Sequence, residues 1–356
     1  MTKKEALKII LFVAAFLALL VPLSYMLRTN GEVKDRFVGF YAEKNNSIDV
    51  VYIGSSEVFS AYVTPQIWND SGITSYALST NRQHPAAAKY LITEALKTQS
   101  PSLFVIDITQ YAMNDEYLLS NMAFVRGVTD NLKYSINRIN LINSLVPDNR
   151  ERSALENSDI DTSDMNRLSY YIDIFKYHSN WKSLFYDSQR RTYAYEYPSE
   201  LKGYNIAAGI ESGEEEDFSY DTDIIRIDEK NERILRELLA FIKENDIKVL
   251  FTLLPQSMSR DEKERYNYVE HILNEEGCDF IDFNDYKKEI GIDFNIHFKD
   301  GGGHLNSIGA SVFSKYFSEH ILNKYDIEDK RNTEKYPDWD EAFNIWEKEL
   351  KKLKAE

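Results

Sequence analysis

Short runs of β-branched and aromatic residues recur along this chain, and most are separated by segments with apolar residues at helical spacing. Such alternation predicts the α/β class, with a central parallel sheet and helices on both of its faces. The predicted strands are Val50–Ile53, Thr74–Leu78, Leu103–Asp107, Lys248–Leu254 and Asp279–Asp282. The predicted helices are Pro85–Leu96, Ile224–Ile242, Arg265–Leu273 and Ser307–Leu322.

The domain organisation follows from where this alternation stops and resumes. Residues 110–221 are rich in Asn, Ser, Tyr and Asp, and we interpret them as an insertion or lid within one domain, 49–323. Helical pieces are predicted within it around 132–145 and 168–177. Residues 324–356 are charged and amphipathic, and Trp339, Phe343 and Trp346 lie at roughly helical spacing. They predict a terminal helix packed back on the domain.

The N-terminus carries an uncharged, strongly apolar run, residues 9–27, preceded by Lys3, Lys4 and Lys8. About twenty such residues cross a bilayer, so the run predicts a single transmembrane anchor rather than a buried core helix. By the positive-inside rule, residues 1–8 would be cytoplasmic and the rest of the chain extracytoplasmic. The bulky residues at its end provide no signal-peptide cleavage site. Residues 28–48 read as a polar stalk.

Composition excludes several classes of function. A formal net charge of −16 argues against a nucleic-acid partner, because phosphate binding requires a basic face. The single cysteine, Cys278, excludes an internal disulfide and is predicted to be a small buried hydrophobe. No phosphate-binding glycine loop or dinucleotide fingerprint is present, so no cofactor is predicted.

Two separated segments carry the candidate chemistry. Gly54-Ser55-Ser56 follows the first strand, and open α/β sheets hold their ligands at the carboxyl ends of strands. His304 follows three glycines and precedes the last helix of the domain. A serine hydroxyl becomes a nucleophile only when a nearby base takes its proton, so we expect Ser56 and His304 to meet. The alternatives are a turn serine and a helix-capping histidine.

Together, Gly54-Ser55-Ser56 and Gly303-His304-Leu305-Asn306 resemble the SGNH/GDSL hydrolase superfamily. They look closest to its membrane-anchored branch, which includes D-alanyl-lipoteichoic acid transfer proteins and alginate acetyltransferases. The resemblance implies a flavodoxin-like three-layer sandwich with Ser56 as nucleophile and His304 as base. The family's acid lies three residues before the histidine, where this chain has Gly301. The resemblance therefore implies Asp300 as the acid, with one glycine inserted.

The oxyanion-binding residues are implied less directly. Where the family has Asn-Leu-Gly, this chain has Ala77-Leu78-Ser79. The backbone N–H groups of Ser56 and Ser79 are therefore the implied donors, with the side chain of Asn81 or Gln83 as a further one. The family's Gly-x-Asn-Asp block is not recognisable.

The resemblance and the anchor together imply a function outside the cytoplasm. The expected reaction is O-acyl transfer or acyl-ester hydrolysis on a cell-envelope polysaccharide or teichoic-type polymer. The implied partner is a polytopic membrane-bound O-acyltransferase. His178 and Trp181, within the insertion, are candidates for a wall that stacks on sugar rings, although such a pair also packs cores.

Two other hypotheses remain open. One is a catalytically degenerate SGNH-like fold that binds glycan or acts as a scaffold. The other is a metal-dependent hydrolase, because Asp293, His297, Asp300 and His304 are types of residue that bind zinc. Their spacing forms no helical pair of histidines and the glycines favour a loop, so no metal is predicted.

Overall fold

The central feature of the computed structural model is a five-stranded sheet in which every neighbouring pair of strands is parallel. The structure describes residues 1–28, 31–155, 160–185, 197–213, 218, 220–331, 333 and 335–355. The strands are β1 (Val50–Ile53), β2 (Ser75–Ala77), β3 (Leu103–Asp107), β4 (Val249–Leu253) and β5 (Asp279–Asp282), in the order β2-β1-β3-β4-β5. The predicted α/β class and parallel sheet are confirmed. In this order the chain reverses direction across the sheet between β1 and β3, which is where doubly wound proteins bind ligands.

Successive residues of β1 point to opposite faces of the sheet and enter separate cores. Val51 and Ile53 belong to one apolar cluster, whereas Val50 and Tyr52 belong to the other. A strand buried on both faces needs a continuous apolar run, as Val50–Ile53 provides. The described chain therefore has three layers, with the sheet between two layers of helices.

The helices that precede the insertion are α1 (Lys3–Leu27), α2 (Glu32–Ala42), α3 (Ser56–Ala61), α4 (Thr64–Ser71) and α5 (Ala87–Ala95). Those of the insertion are α6 (Asp115–Leu119), α7 (Met122–Thr129), α8 (Ile136–Leu145), α9 (Asn149–Leu155), α10 (Leu168–Tyr171) and α11 (Ile174–Tyr177), followed by a 3₁₀ helix, His178–Phe185. The remaining helices are α12 (Glu229–Glu244), α13 (Arg260–Glu275), α14 (Lys287–Ile290), α15 (Ser307–Tyr316) and α16 (Pro337–Leu353).

Helix ends differ from the predicted bounds where polar caps decide them. α12 begins after Asp228, whose side chain accepts a hydrogen bond from the N–H of Lys230. α13 begins five residues earlier than predicted, because Ser259 and Glu262 form a capping box there. α15 passes into a π turn, Phe317–Ile321, and a 3₁₀ turn, Leu322–Lys324, that together cover the predicted length.

The described residues of the predicted stalk, 28 and 31–48, are part of the domain, in contrast to the prediction. α2 buries Phe37 and Phe40 in the same apolar cluster as Val51 and Ile53. It also buries the charged residue Arg36, whose guanidinium donates to carbonyls far along the chain. Part of the polar composition of this segment is therefore explained by buried hydrogen bonds, whereas Glu32, Asp35 and Lys44 are exposed to solvent.

The helices of the insertion pack on the α2 side of the sheet, whereas Tyr204, later in the insertion, packs in the cluster on the opposite face. Val125, Leu141 and Tyr170 belong to the same core cluster as β1 and α2. The predicted helical pieces around 132–145 and 168–177 correspond to α8, α10 and α11. These helices therefore extend the hydrophobic core on that face of the sheet.

The C-terminal helix α16 packs on α4. Trp339 and Trp346 are buried, and the indole N–H of Trp68 in α4 donates to Asp340 at 2.9 Å. The predicted terminal helix thus spans 337–353 within the predicted segment 324–356. Cys278, predicted to be buried, is half-buried. It packs against the core cluster that contains Val51 and Ile53, on the face of the sheet opposite to α16.

The N-terminal helix α1 is the one described helix that is long and apolar enough to cross a membrane. A capping box between Thr2 and Glu5 begins it. At its other end, the buried guanidinium of Arg28 lies 2.5 Å from the buried carboxylate of Asp173, which also pairs with Arg138 at 2.6 Å. The end of α1 is therefore joined to the domain by a buried ion-pair cluster.

Candidate active site

Ser56 lies at the carboxyl end of β1, where the strand turns into α3. The turn requires glycine at position 54, because a Cβ there would lie 2.6 Å from Val58 and 2.9 Å from Asp107. Ser56 is the first residue of α3 and is half-buried. Its hydroxyl therefore stands at the reversal point of the sheet, next to the end of β3.

His304 is held by a short closed loop before α15. Phe298 and Leu305 form an antiparallel bridge, and the N–H of Lys299 donates to the carbonyl of His304 at 3.1 Å. Gly301 and Gly302 have φ values of +71° and +107°, which L side chains rarely adopt. The loop can therefore reverse within four residues and bring His304 back over Asp300.

The structure brings Ser56, His304 and Asp300 together in one chain of hydrogen bonds. The Ser56 Oγ and His304 Nε2 atoms are 2.7 Å apart, and His304 Nδ1 is 2.5 Å from Asp300 Oδ2. The second contact places the proton of a neutral imidazole on Nδ1, since a carboxylate only accepts. Nε2 is then free to accept the serine proton. The inserted glycine thus leaves Asp300 in contact with His304.

The predicted oxyanion donors differ in their positions. Ser79 is fully buried on the loop after β2, and among the described residues its N–H has no acceptor. Gln83 is also buried, and its amide donates weakly to Thr80 Oγ1 at 3.5 Å. Asn81 is exposed and lines a cavity of about 490 Å³ that also contacts Arg28 at the end of α1. Of the three residues, Ser79 therefore offers a buried backbone N–H that is left without an acceptor among the described residues.

Arg36 holds the Ser79 loop and was not identified from the sequence. Its Nη1 donates to the carbonyl of Ser79 at 2.8 Å and its Nε to that of Gly203 at 2.9 Å, with Phe59 stacked on the guanidinium at 4.1 Å. Burial lowers the pKa of Arg36 to about 10, so the side chain stays charged at neutral pH. No local sequence signal marks such a residue, because its partners are distant in the chain.

Two further carboxyl groups lie behind Ser56. Glu57 Oε1 is 3.9 Å from His304 Nε2, while its buried Oε2 has no hydrogen-bond partner among the described residues. Asp107, at the end of β3, accepts from the N–H of Thr109 at 3.0 Å. Burial first, and the charge of Glu57 second, raise the pKa of Asp107 to about 7. The sequence signal that could have identified Glu57 as a site residue is its position directly after Ser56.

His178 and Trp181 lie elsewhere, in the 3₁₀ helix that packs against the end of α1. Both are exposed, and the neighbouring Asn180 donates to the carbonyl of Leu27 at 3.0 Å. The structure therefore places them beside the apolar N-terminal helix and does not bring them to Ser56. Their predicted role in a substrate wall is not supported by this placement.

The four residues weighed as zinc ligands separate into two pairs. Asp300 and His304 contact each other, whereas His297 Nδ1 accepts from the backbone N–H of Asp293 at 3.0 Å. Among the described residues, the carboxylates close enough to share a metal ion are Asp221, Asp223 and Glu264. Arg260 already pairs with all three of these carboxylates.

Comparisons with known proteins do not assign the chain to a family. A scan against protein-family models finds no match, and a search of curated proteins finds no matching relative. The functional interpretation therefore depends on the geometry of the site and on the motifs that form it.

Proposed function

We propose that this protein is a membrane-anchored, SGNH-like serine enzyme that transfers or hydrolyses O-acyl groups outside the cytoplasm. The observation that carries the proposal is the chain of contacts from Ser56 Oγ to His304 Nε2, at 2.7 Å, and from His304 Nδ1 to Asp300, at 2.5 Å. A nucleophile, a base and a group that orients the base, each within hydrogen-bond distance, are the requirements for acyl transfer through a serine.

The proposed reaction starts with attack of Ser56 Oγ on an acyl carbonyl carbon. As the new C–O bond forms, the serine proton moves to His304 Nε2 and the carbonyl oxygen becomes an oxyanion. His304 then gives this proton to the departing alcohol oxygen, leaving an acyl-serine. A second hydroxyl, of water or of a polymer, repeats the sequence in reverse and frees Ser56.

Two groups would stabilise the charges that develop. The carboxylate of Asp300 accepts from both the Nδ1 and the backbone N–H of His304, which fixes the ring and balances the imidazolium. The N–H of Ser79 faces no other acceptor among the described residues and would donate to the oxyanion. A preorganised donor of this kind contributes about 3 kcal/mol in comparable sites.

The proposed substrate class follows from the anchor and the resemblance. α1 is apolar enough to span a membrane, and extracytoplasmic placement would give the site access to polymers of the cell envelope. The substrate would be an O-acyl group on a polysaccharide or teichoic-type polymer. A polytopic membrane-bound O-acyltransferase would supply the acyl group when the reaction is transfer.

The experiment uses the full-length protein in detergent with a fluorophosphonate probe and with p-nitrophenyl acetate. We expect Ser56→Ala and His304→Ala to abolish labelling and to lower kcat/KM by about 10³-fold or more. The matched controls are Ser100→Ala and His271→Ala, which alter exposed residues outside the site. Equal labelling of the wild type and Ser56→Ala would contradict the proposal. No labelling of a folded wild type would instead favour the glycan-binding scaffold.

A further inference from the structure

The apolar part of α1 that is free to contact lipid is short. Ile9–Leu19 is exposed, whereas most of the helix from Leu20 to Leu27 is half-buried or buried against the domain. At 1.5 Å per residue, the exposed segment spans about 16 Å. The hydrocarbon core of a bilayer is about 30 Å thick, so this segment alone falls far short of it. Including the lysine-bearing first turns extends the free length only to about 25 Å.

The elements that cover the last turns of α1 carry exposed apolar side chains. α11 and the 3₁₀ helix His178–Phe185 pack against α1, and in them Phe175 and Trp181 are each 55% exposed. Asn180 donates to the carbonyl of Leu27, the last residue of α1, at 3.0 Å. Trp181 therefore lies beside Leu27, where the apolar helix ends, and its side chain is exposed to solvent.

A cation accompanies the exposed tryptophan. Lys182 is exposed, with its Nζ 5.7 Å from the Trp181 ring centroid, although the chain as a whole has a net charge of −16. Aromatic rings are enriched where a membrane meets water, and long lysine side chains reach from apolar surfaces toward headgroups. This pairing is suited to the interfacial layer of a bilayer.

We propose that the segment 174–182 lies within the interfacial layer of the lipid bilayer, with Phe175 and Trp181 at the boundary of the acyl chains. Immersion of this segment places the covered turns of α1, residues 20–27, within the bilayer as well. These turns then supply the length that the exposed turns lack. The surface continues the membrane-contacting surface of α1, so its occupant is lipid and not a second protein chain. The proposal rests on α1 spanning the membrane, as in the proposed function, and is independent of the catalytic role of Ser56.

Tryptophan fluorescence tests this immersion directly. Of the four tryptophans, Trp181 is 55% exposed, whereas Trp68, Trp339 and Trp346 are at most 2% exposed. The full-length protein is reconstituted into vesicles of phosphatidylcholine or of phosphatidylcholines brominated on the acyl chains. Bromine close to the headgroup should quench part of the emission, and bromine near the chain ends should quench less. Trp181→Phe, a conservative change at an exposed position, should lose this quenching.

The outcomes separate this proposal from the anchor on which it rests. Resistance of the vesicle-bound protein to alkaline carbonate extraction establishes insertion of α1. If the inserted wild type shows no quenching by brominated lipid, or if Trp181→Phe is quenched equally, the immersion is overturned. A protein removed by carbonate contradicts the anchor, and with it the immersion, but leaves the serine chemistry in place.

Discussion

The backbone N–H and the imidazole Nδ1 of His304 both donate to the carboxylate of Asp300, at 2.7 and 2.5 Å. One side chain thus fixes the position of the loop and the orientation of the ring. The four-residue spacing permits this because Gly301 and Gly302 provide the reversal. A serine triad requires this contact in space and not a particular spacing in sequence.

Replacing Asp300, the proposed acid of the triad, should remove most of the activity without unfolding the protein. In Asp300→Asn the amide no longer enforces the Nδ1 proton, and we expect kcat/KM for p-nitrophenyl acetate to fall by about 10³-fold. Asp293→Asn is the matched control, because Asp293 is exposed in the same segment and its carboxylate accepts from the backbone N–H and the side-chain amide of Asn295. Retention of more than about a tenth of the activity would mean that another group orients His304.

The glycines of the loop should differ in their tolerance of alanine. A Cβ at Gly302 would lie 2.3 Å from Ser257 Oγ, in a backbone with φ of +107°. The corresponding Cβ at Gly301 meets nothing closer than 3.8 Å. We expect Gly302→Ala to lower stability by about 2 kcal/mol or more and to reduce kcat/KM at least tenfold. Gly301→Ala carries the backbone strain alone, so equal effects in chemical denaturation and kinetics would contradict the assigned cause.

Removing the Arg36 guanidinium should affect both stability and the rate of the chemical step. Arg36→Met leaves the carbonyls of Ser79 and Gly203 without these donors inside the protein. We expect the free energy of unfolding to fall by about 2–4 kcal/mol, and kcat to fall more than KM rises because the Ser79 loop loses its support. Arg236→Met, in a partly exposed ion pair on α12, is the control. An unchanged kcat would show that Arg36 does not position the loop.

Loss of the proton from buried Asp107 should lower the stability of the protein as pH rises. Its pKa is raised from 3.8 to about 7 by burial and by the charge of Glu57, so the native state holds a proton that the unfolded state has released. The free energy of unfolding should therefore fall between about pH 4 and 7, by up to about 4 kcal/mol. Asp107→Asn should remove this component, and Glu57→Gln should reduce it. Parallel pH–stability curves for wild type and Asp107→Asn would contradict this assignment.

The ion-pair cluster at the end of α1 should be needed for the stability of the domain. Asp173→Asn leaves the guanidinium groups of Arg28 and Arg138 buried with less compensation. A loss of about 3–5 kcal/mol in the free energy of unfolding in detergent is expected. Asp161→Asn, at an exposed position of the insertion, should have little effect. A similar unfolding midpoint in both variants would show that Asp173 is dispensable.

Each strand was predicted to within one residue at either end, most directly β1 and β3, whose fully buried apolar runs are continuous in sequence. The contact between Ser56 and His304 was expected from two short motifs, Gly54-Ser55-Ser56 and Gly303-His304-Leu305-Asn306. Arg36 and the burial of α2 were not predicted, because a buried cation whose partners are distant looks like a solvent-exposed one. The positions of His178 and Trp181 also depend on tertiary packing, since helical spacing alone does not say which neighbour a face meets.

The buried contact between Arg28 and Asp173 has a mechanical consequence. Lys34 of α2 also donates to the carbonyls of Tyr25 and Arg28, so the end of α1 is bonded to the domain at several points. A domain held this way cannot swing about its N-terminal helix as one on a flexible tether can. With α1 spanning the membrane as proposed, the height of Ser56 above the lipid surface would be fixed, and the proposed acceptor polymer would have to reach that height by its own motion. The rigid connection to the anchor would then determine which part of a long polymer can be modified.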